Sequence, residues 1–279
     1  MPLSVPGKVA LVTGGASGIG AAIATELADG GAEVWIADRQ ADLGDELAAR
    51  LRARGATAHA IELDVRSYPA FEQAVADVVD TSGRIDYLFN NAGIGIGGEI
   101  DTFSIDDWNN IIDVNLRGVV NGIQAAYPVM IRQGSGHIVN TASLAGLITM
   151  TAQAGYSATK HAVVALSKTL RLEAERHGVS VSVLCPGVVR TPILAGGRYG
   201  YNTTVDSEEM RKLGEKLRPI SPEAFAARSL KAVVRGDAII VVPRRWKLLW
   251  YLERLSPALS MRVAKESLKR TRAVAPVDR

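Results

Sequence analysis

Tyr156 and Lys160 stand four residues apart in a stretch, Ala154 to His177, that reads as a helix ending at Gly178. Four residues is about one helical turn, so the two side chains share a face. A lone tyrosine titrates at about pH 10 and is a poor base at neutrality. An ammonium beside it favours the phenolate, and the pair becomes a general acid/base. Ser143 ends the apolar run that begins at His137, where its hydroxyl can hydrogen-bond a reacting oxygen. Singly, each residue has an ordinary structural use: a buried ring, a solvated helix face, a cap. Their position downstream of a glycine-rich loop is what makes them specific.

That loop is Thr13-Gly14-Gly15-Ala16-Ser17-Gly18-Ile19-Gly20. Glycines there let the chain turn tightly and let a pyrophosphate come close to the backbone. The helix that follows aims its first N–H groups at the anion. Asp38 closes the next apolar run, where a carboxylate accepts from ribose hydroxyls and repels a 2′-phosphate, favouring NAD over NADP. Arg39 follows it and is able to hold such a phosphate. Asp64-Val65 ends the third run, where an adenine fits. Asn90-Asn91-Ala92-Gly93 ends the fourth, and its small residues let a cofactor pass close to the backbone.

Strands and helices must alternate to position these groups. The apolar runs predict strands over 9–13, 33–38, 58–64, 86–90, 137–141, 179–185 and 238–242. Periodicity predicts helices over 20–29, 43–54, 68–81, 105–134 and 154–177. This pattern predicts an α/β fold, a doubly wound parallel sheet with helices on both faces and ligands beyond the carboxyl ends of the strands. Residues 193–222 read as an irregular insertion, a candidate lid. Together with 144–153 they are expected to set specificity, and Leu147, Ile148, Met150, Ile193, Leu194, Met210 and Leu217 point to an apolar or bulky substrate.

The chain of 279 residues is 47% hydrophobic and 22% charged, the composition of a globular protein with a large core. The single cysteine, Cys185, reads as a buried residue and excludes an internal disulfide. No targeting segment or membrane-length apolar run is visible, so the expectation is a cytoplasmic protein. Four scattered histidines suggest no metal site. Arg244 to Arg279 hold ten Lys/Arg and three Asp/Glu, whereas residues 1–243 are net −4. Basicity confined to a tail argues against nucleic acid as a partner. The sequence thus divides into residues 1–243 and a basic, amphipathic extension, 244–279. The extension is expected to pack on its own subunit or a neighbour rather than on a membrane.

The combination of Thr13-Gly14-x-x-x-Gly18-Ile19-Gly20, Asp64-Val65, Asn90-Asn91-Ala92-Gly93, Asn115, Ser143, Tyr156-x-x-x-Lys160 and Pro186-Gly187 resembles the short-chain dehydrogenase/reductase family, from about Gly7 to about Pro243. The resemblance implies a seven-stranded Rossmann-like sheet in a single domain, assembled as homodimers or homotetramers. It also implies that Tyr156 donates or accepts the proton and that Ser143 polarises the substrate oxygen. Lys160 would bind the nicotinamide ribose and depress the Tyr156 pKa, and Asn115 would hold a relay water. Pro186, Gly187, Val188 and Thr191 would line the nicotinamide. The implied reaction is hydride transfer between NAD(H) and a secondary alcohol or ketone. An NADPH-dependent 3-oxoacyl-carrier-protein reductase is the nearest alternative. Ser17, where those reductases carry arginine, and Asp38 argue against it. A non-catalytic dinucleotide sensor would lose the tyrosine or lysine, and this chain keeps both.

Overall fold

The computed structural model describes residue 3, residues 5–194, residue 215 and residues 217–274. Among the described residues seven strands form one parallel sheet: β1 (Val9–Thr13), β2 (Glu33–Asp38), β3 (Ala58–Glu62), β4 (Tyr87–Asn90), β5 (Gly136–Thr141), β6 (Val179–Pro186) and β7 (Ile239–Val242). Their order is β3-β2-β1-β4-β5-β6-β7. The chain reverses its direction of travel between β1 and β4, the place where a doubly wound sheet opens a crevice for a ligand. In register, Leu11 lies beside Trp35 on one side and Leu88 on the other.

All five residues of β1 are buried, because helices cover both faces. Side chains alternate across a strand, so neighbours serve opposite layers. Leu11 and Leu88 face one core with α3 (Tyr68–Ser82), α5 (Gly118–Gln133) and α6 (Ala154–Ala174), through Phe71, Ile123 and Val163. Val12 and Phe89 face the other with α1 (Gly18–Asp29), α2 (Ala41–Ala53) and α7 (Pro222–Val234), through Ile23, Leu47 and Phe225. This is a Rossmann-like architecture in one domain. Cys185 is fully buried.

The helix expected over 105–134 is three pieces: α4 (Ile105–Ile112), a π-helical turn (Asp113–Arg117) and α5. A π turn inserts one residue into the helical register, which apolar periodicity does not reveal. Two ends also move. β3 stops at Glu62 rather than Asp64, and α1 starts at Gly18 rather than Gly20. Beyond β7 the chain makes α8 (Lys247–Leu255) and α9 (Pro257–Val274). None of the described helices is long and apolar enough to cross a membrane.

One buried histidine couples the sheet to pH. His137 on β5 is 8% exposed, stacks on Tyr87 and shares a 2.9 Å hydrogen bond with Ser182 on β6. Burial lowers its pKa from 6.5 to about 4, with the Arg171 guanidinium adding to the effect. The fold therefore favours neutral imidazole. Its stabilising contribution is complete above pH 6.5 and is lost as pH falls towards 4. We expect unfolding free energy to drop by about 3 kcal/mol from this site across that window. Denaturant melts of wild type and His137→Gln check it. The variant should be less stable at neutral pH but show a flatter acid limb, and parallel acid limbs would disprove the assignment.

Candidate active site

The carboxyl ends of β1, β4 and β5 meet in one hydrogen-bonded knot. The buried Thr13 hydroxyl donates to Phe89 O (3.2 Å) and accepts from the N–H groups of Asn91 (3.0 Å) and Ala92 (3.1 Å). The Asn91 amide donates to Thr13 O (3.2 Å) and Gly14 O (3.4 Å), and its oxygen accepts from Thr141 Oγ1 (3.3 Å). The glycine loop is thereby pressed against the Asn91-Ala92-Gly93 loop. Gly14 has φ +61°, and a Cβ there would lie 2.8 Å from Ala92 Cα. A Cβ on Gly20 would lie 2.0 Å from Gly14 O, so no other residue fits.

Ser17 occupies the N-cap position of α1, yet its side chain makes no capping bond. By contrast, Ser67, Ser104 and Ser221 cap α3, α4 and α7. The first turn of α1 therefore presents N–H groups to an outside acceptor. At the loop's other side the buried Asp38 carboxylate accepts from Ala16 N (3.1 Å) and Gln40 N (3.0 Å). Arg39 follows, near enough to lower the Asp64 pKa, although hydrogen bonds from Arg66 lower it more. Val65 is buried beside them. Ile19 packs partly against the core, and Thr191 Cγ2 would meet a Cβ on Gly18 at 3.4 Å. Glycine cradle, uncapped helix end and carboxylate are chemically suited to a diphosphate joined to a ribose.

Gly93 connects this cradle to the catalytic candidates. A Cβ there would stand 3.2 Å from Asn115 Oδ1 and 3.4 Å from Lys160 Nζ. Asn115 sits in the π turn, fully buried, and its amide accepts from Ile94 N (2.8 Å) and donates to Ile94 O (2.9 Å). Lys160 is 3% exposed, donates to Thr141 O (2.9 Å) and lies 5.6 Å from the Tyr156 ring centroid. Burial brings its pKa down to about 8. The Tyr156 ring is partly exposed, but the surrounding protein desolvates the hydroxyl and raises its pKa. A hydrogen bond with Ser143 opposes that rise. Burial outweighs that hydrogen bond, and the net direction is upward.

The other expected residues fall around the same edge. Pro186 ends β6, with Gly187 and Val188 following. Leu147 and Ile148 are buried in the core, so the apolar substrate-side surface narrows to neighbours such as the half-exposed Met150. Ile193 is partly buried and Leu217 exposed; the Leu194 side chain and Met210 lie outside the described residues. Thr13 was read only as the start of the glycine loop and Thr141 only as part of a strand; their hydroxyl contacts with Asn91 were not foreseen, although a polar residue at the end of an apolar strand is a usable signal. The tail was read as packing on protein, but its contacts with this edge were not foreseen. The Trp246 indole lies over Gly187, where a Cβ would stand 2.2 Å from Nε1. Glu253 of α8 accepts from Thr149 N (3.2 Å) and Thr149 Oγ1 (3.3 Å), in the segment after Ser143. Arg272 of α9 pairs with Glu99 (2.7 Å), next to Gly98, which bonds Ala152 O.

Among the described residues no cluster of three or more His, Cys, Asp or Glu could hold a metal ion.

Residues 8–200 match the family model for short chain dehydrogenase. The chain is 41% identical to 2,5-dichloro-2,5-cyclohexadiene-1,4-diol dehydrogenase LinX of Sphingobium indicum over 82% of its own length and 92% of that protein. It is 38% identical to trans-4-hydroxycyclohexanecarboxylate dehydrogenase of Sinomonas cyclohexanicum, over 70% and 77% of the two chains. A short chain dehydrogenase/reductase from Burkholderia phymatum, solved in complex with NAD, superposes with a TM-score of 0.82 at 30% identity, covering 91% of this chain and 95% of that one. This protein belongs to the short-chain dehydrogenase/reductase family of oxidoreductases.

Proposed function

We propose that this protein is an NAD-dependent dehydrogenase of cyclic secondary alcohols, with Tyr156 as the proton-transfer group. The observation that carries the reading is the meeting of Tyr156, bonded to Ser143, with the buried Lys160 ammonium beside the glycine cradle. Gly14, Gly18, Gly20 and the first turn of α1 would hold a diphosphate, Asp38 the adenosine ribose, and Gly93, Lys160 and Gly187 the nicotinamide end. A nicotinamide dinucleotide held there supplies the donor or acceptor of hydride. Ser143 orients the substrate oxygen. As the carbinol C–H bond breaks, the Tyr156 phenolate takes the hydroxyl proton; in the reverse direction the Tyr156 hydroxyl returns it. Lys160, while protonated, favours the phenolate. Asn115 holds the Ile94 backbone and so the wall beside Gly93. Alicyclic substrates are favoured because two relatives are named for six-membered-ring alcohols. A homodimer or homotetramer in the cytoplasm is the accompanying expectation.

The test is NADH formation from cyclohexanols and cyclohexanediols against open-chain secondary alcohols. Oxidation should quicken as pH rises towards 8, because alkali supplies the phenolate of a tyrosine whose pKa burial raises, and the gain should flatten above it as Lys160 loses its charge. Tyr156→Phe should cut turnover by ~10²–10⁴ while NAD binding persists. Turnover like that of wild type in this variant would reject the assignment.

Asp38 is expected to make NAD bind more tightly than NADP. Asp38→Ala should narrow that difference, with Arg39 then available to a 2′-phosphate. Fluorescence titration with both cofactors decides it, and tighter NADP binding by the unmodified protein would mean that Arg39 dominates.

Glu253 is assigned a positioning role through Thr149. Glu253→Ala should raise KM several-fold with little change in kcat or NAD affinity, and Glu253→Gln, which keeps one acceptor, should recover part of it. An unchanged KM in the alanine variant would remove the role.

A further inference from the structure

α8 and α9 have two unlike faces. One side of α8 packs Leu249 and Trp250 on the core. The other carries Leu248, Tyr251 and Leu255, spaced three and four residues apart and therefore in one stripe. Leu248 is 69% and Leu255 85% exposed. Leu259 and Val263, four apart on α9, are exposed as well. So much large apolar surface in one short segment calls for an occupant.

The charges around it select one. Arg262, Lys265 and Lys269 follow at spacings of three and four along α9, all exposed. The acids nearby are engaged: Glu253 turns inward to Thr149 and Ser260, and Glu266 pairs with Lys269. The face is thus apolar with a cationic border. A second copy related by a two-fold axis would set this face against itself and bring the cations of both copies together. A surface of anionic headgroups over acyl chains satisfies both halves at once.

We propose that α8 and α9 dock this protein on an anionic lipid bilayer, lying in the plane of the interface. Leu248, Tyr251 and Leu255 enter the acyl boundary, and Arg262 and Lys265 meet headgroup phosphates. Tyr251, whose ring stacks on the inward-packed Trp250 with centroids 5.7 Å apart, would sit at the depth that amphipathic rings prefer. The inward face keeps its grip on Thr149, so docking leaves the fold unchanged.

The full-length protein is sedimented with vesicles of phosphatidylcholine alone and of phosphatidylcholine mixed with phosphatidylglycerol, at low and high salt. Two double variants are run beside it, Leu248→Ser with Leu255→Ser and Arg262→Glu with Lys265→Glu. All four positions are exposed, so melting temperature and NAD affinity should hold. Wild type should bind the anionic vesicles, and salt should weaken binding. Reversing the two charges should cost more than about fivefold for each, and the serine pair roughly tenfold or more. Three results would overturn the proposal. One is no preference for anionic over neutral vesicles. Another is wild-type binding by both variants. The third is a change of oligomeric state in the serine variant by analytical ultracentrifugation, which would make the face a self-interface.

Discussion

Thr13 and Asn91 together hold three strand ends at a fixed separation, and nearly everything functional hangs from that contact. The Thr13 hydroxyl accepts two backbone N–H groups from the β4 loop, and the Asn91 amide returns bonds to the β1 loop while receiving Thr141. These polar groups lie among strands whose side chains are otherwise apolar, so leaving any of them unpaired would carry the full cost of desolvation. The bonds draw the glycine loop and the Ala92-Gly93 segment into backbone contact, and the second of these abuts Asn115 and Lys160. The glycine cradle and the Tyr156–Lys160 pair are therefore positioned by one junction rather than by two separate loops. Lys160 reinforces it from α6 by donating to Thr141 O, the backbone of the strand whose side chain bonds Asn91.

Much of this was legible in the order of residues. Parallel strands buried on both faces announce themselves as unbroken apolar runs, as Val9–Thr13 does. Chemistry then collects just past their ends, where Gly14, Asp38, Asn91 and Ser143 were found. The spacing of Tyr156 and Lys160 needed only the helix to place them on one face. The π turn at Asp113–Arg117 was not legible, because the contacts that Asn115 makes from it are tertiary: it bonds to the Ile94 backbone, twenty-one residues distant in sequence. Equally hidden was the balance of forces on Tyr156. Sequence supplies the ammonium, but only packing reveals that desolvation opposes it. Leu147 and Ile148 show the same limit, since an apolar residue near a site can as well belong to the core.

The tail joins the substrate-side segments without touching the glycine loop. Trp246 rests on Gly187, Glu253 holds Thr149 and Arg272 holds Glu99. The exposed pair of Arg272 and Glu99 adds little energy by itself. The apolar contact of Leu249 and Trp250 with the core is what anchors the helices. A short segment at the end of the chain thereby borders the segments that follow β5 and β6, while the glycine loop and Asp38 belong to the first two strands. Variation in one need not disturb the other.

The uncapped start of α1 has a further thermodynamic consequence. Its first N–H groups face outward with no side-chain acceptor, so part of the helix-capping energy is left to an outside partner. An anion seated there completes the helix and binds only the folded chain. By mass action, a ligand at a hundred times its dissociation constant adds about 2.7 kcal/mol to folding stability. The fraction of chains open to proteases then tracks the supply of that anion.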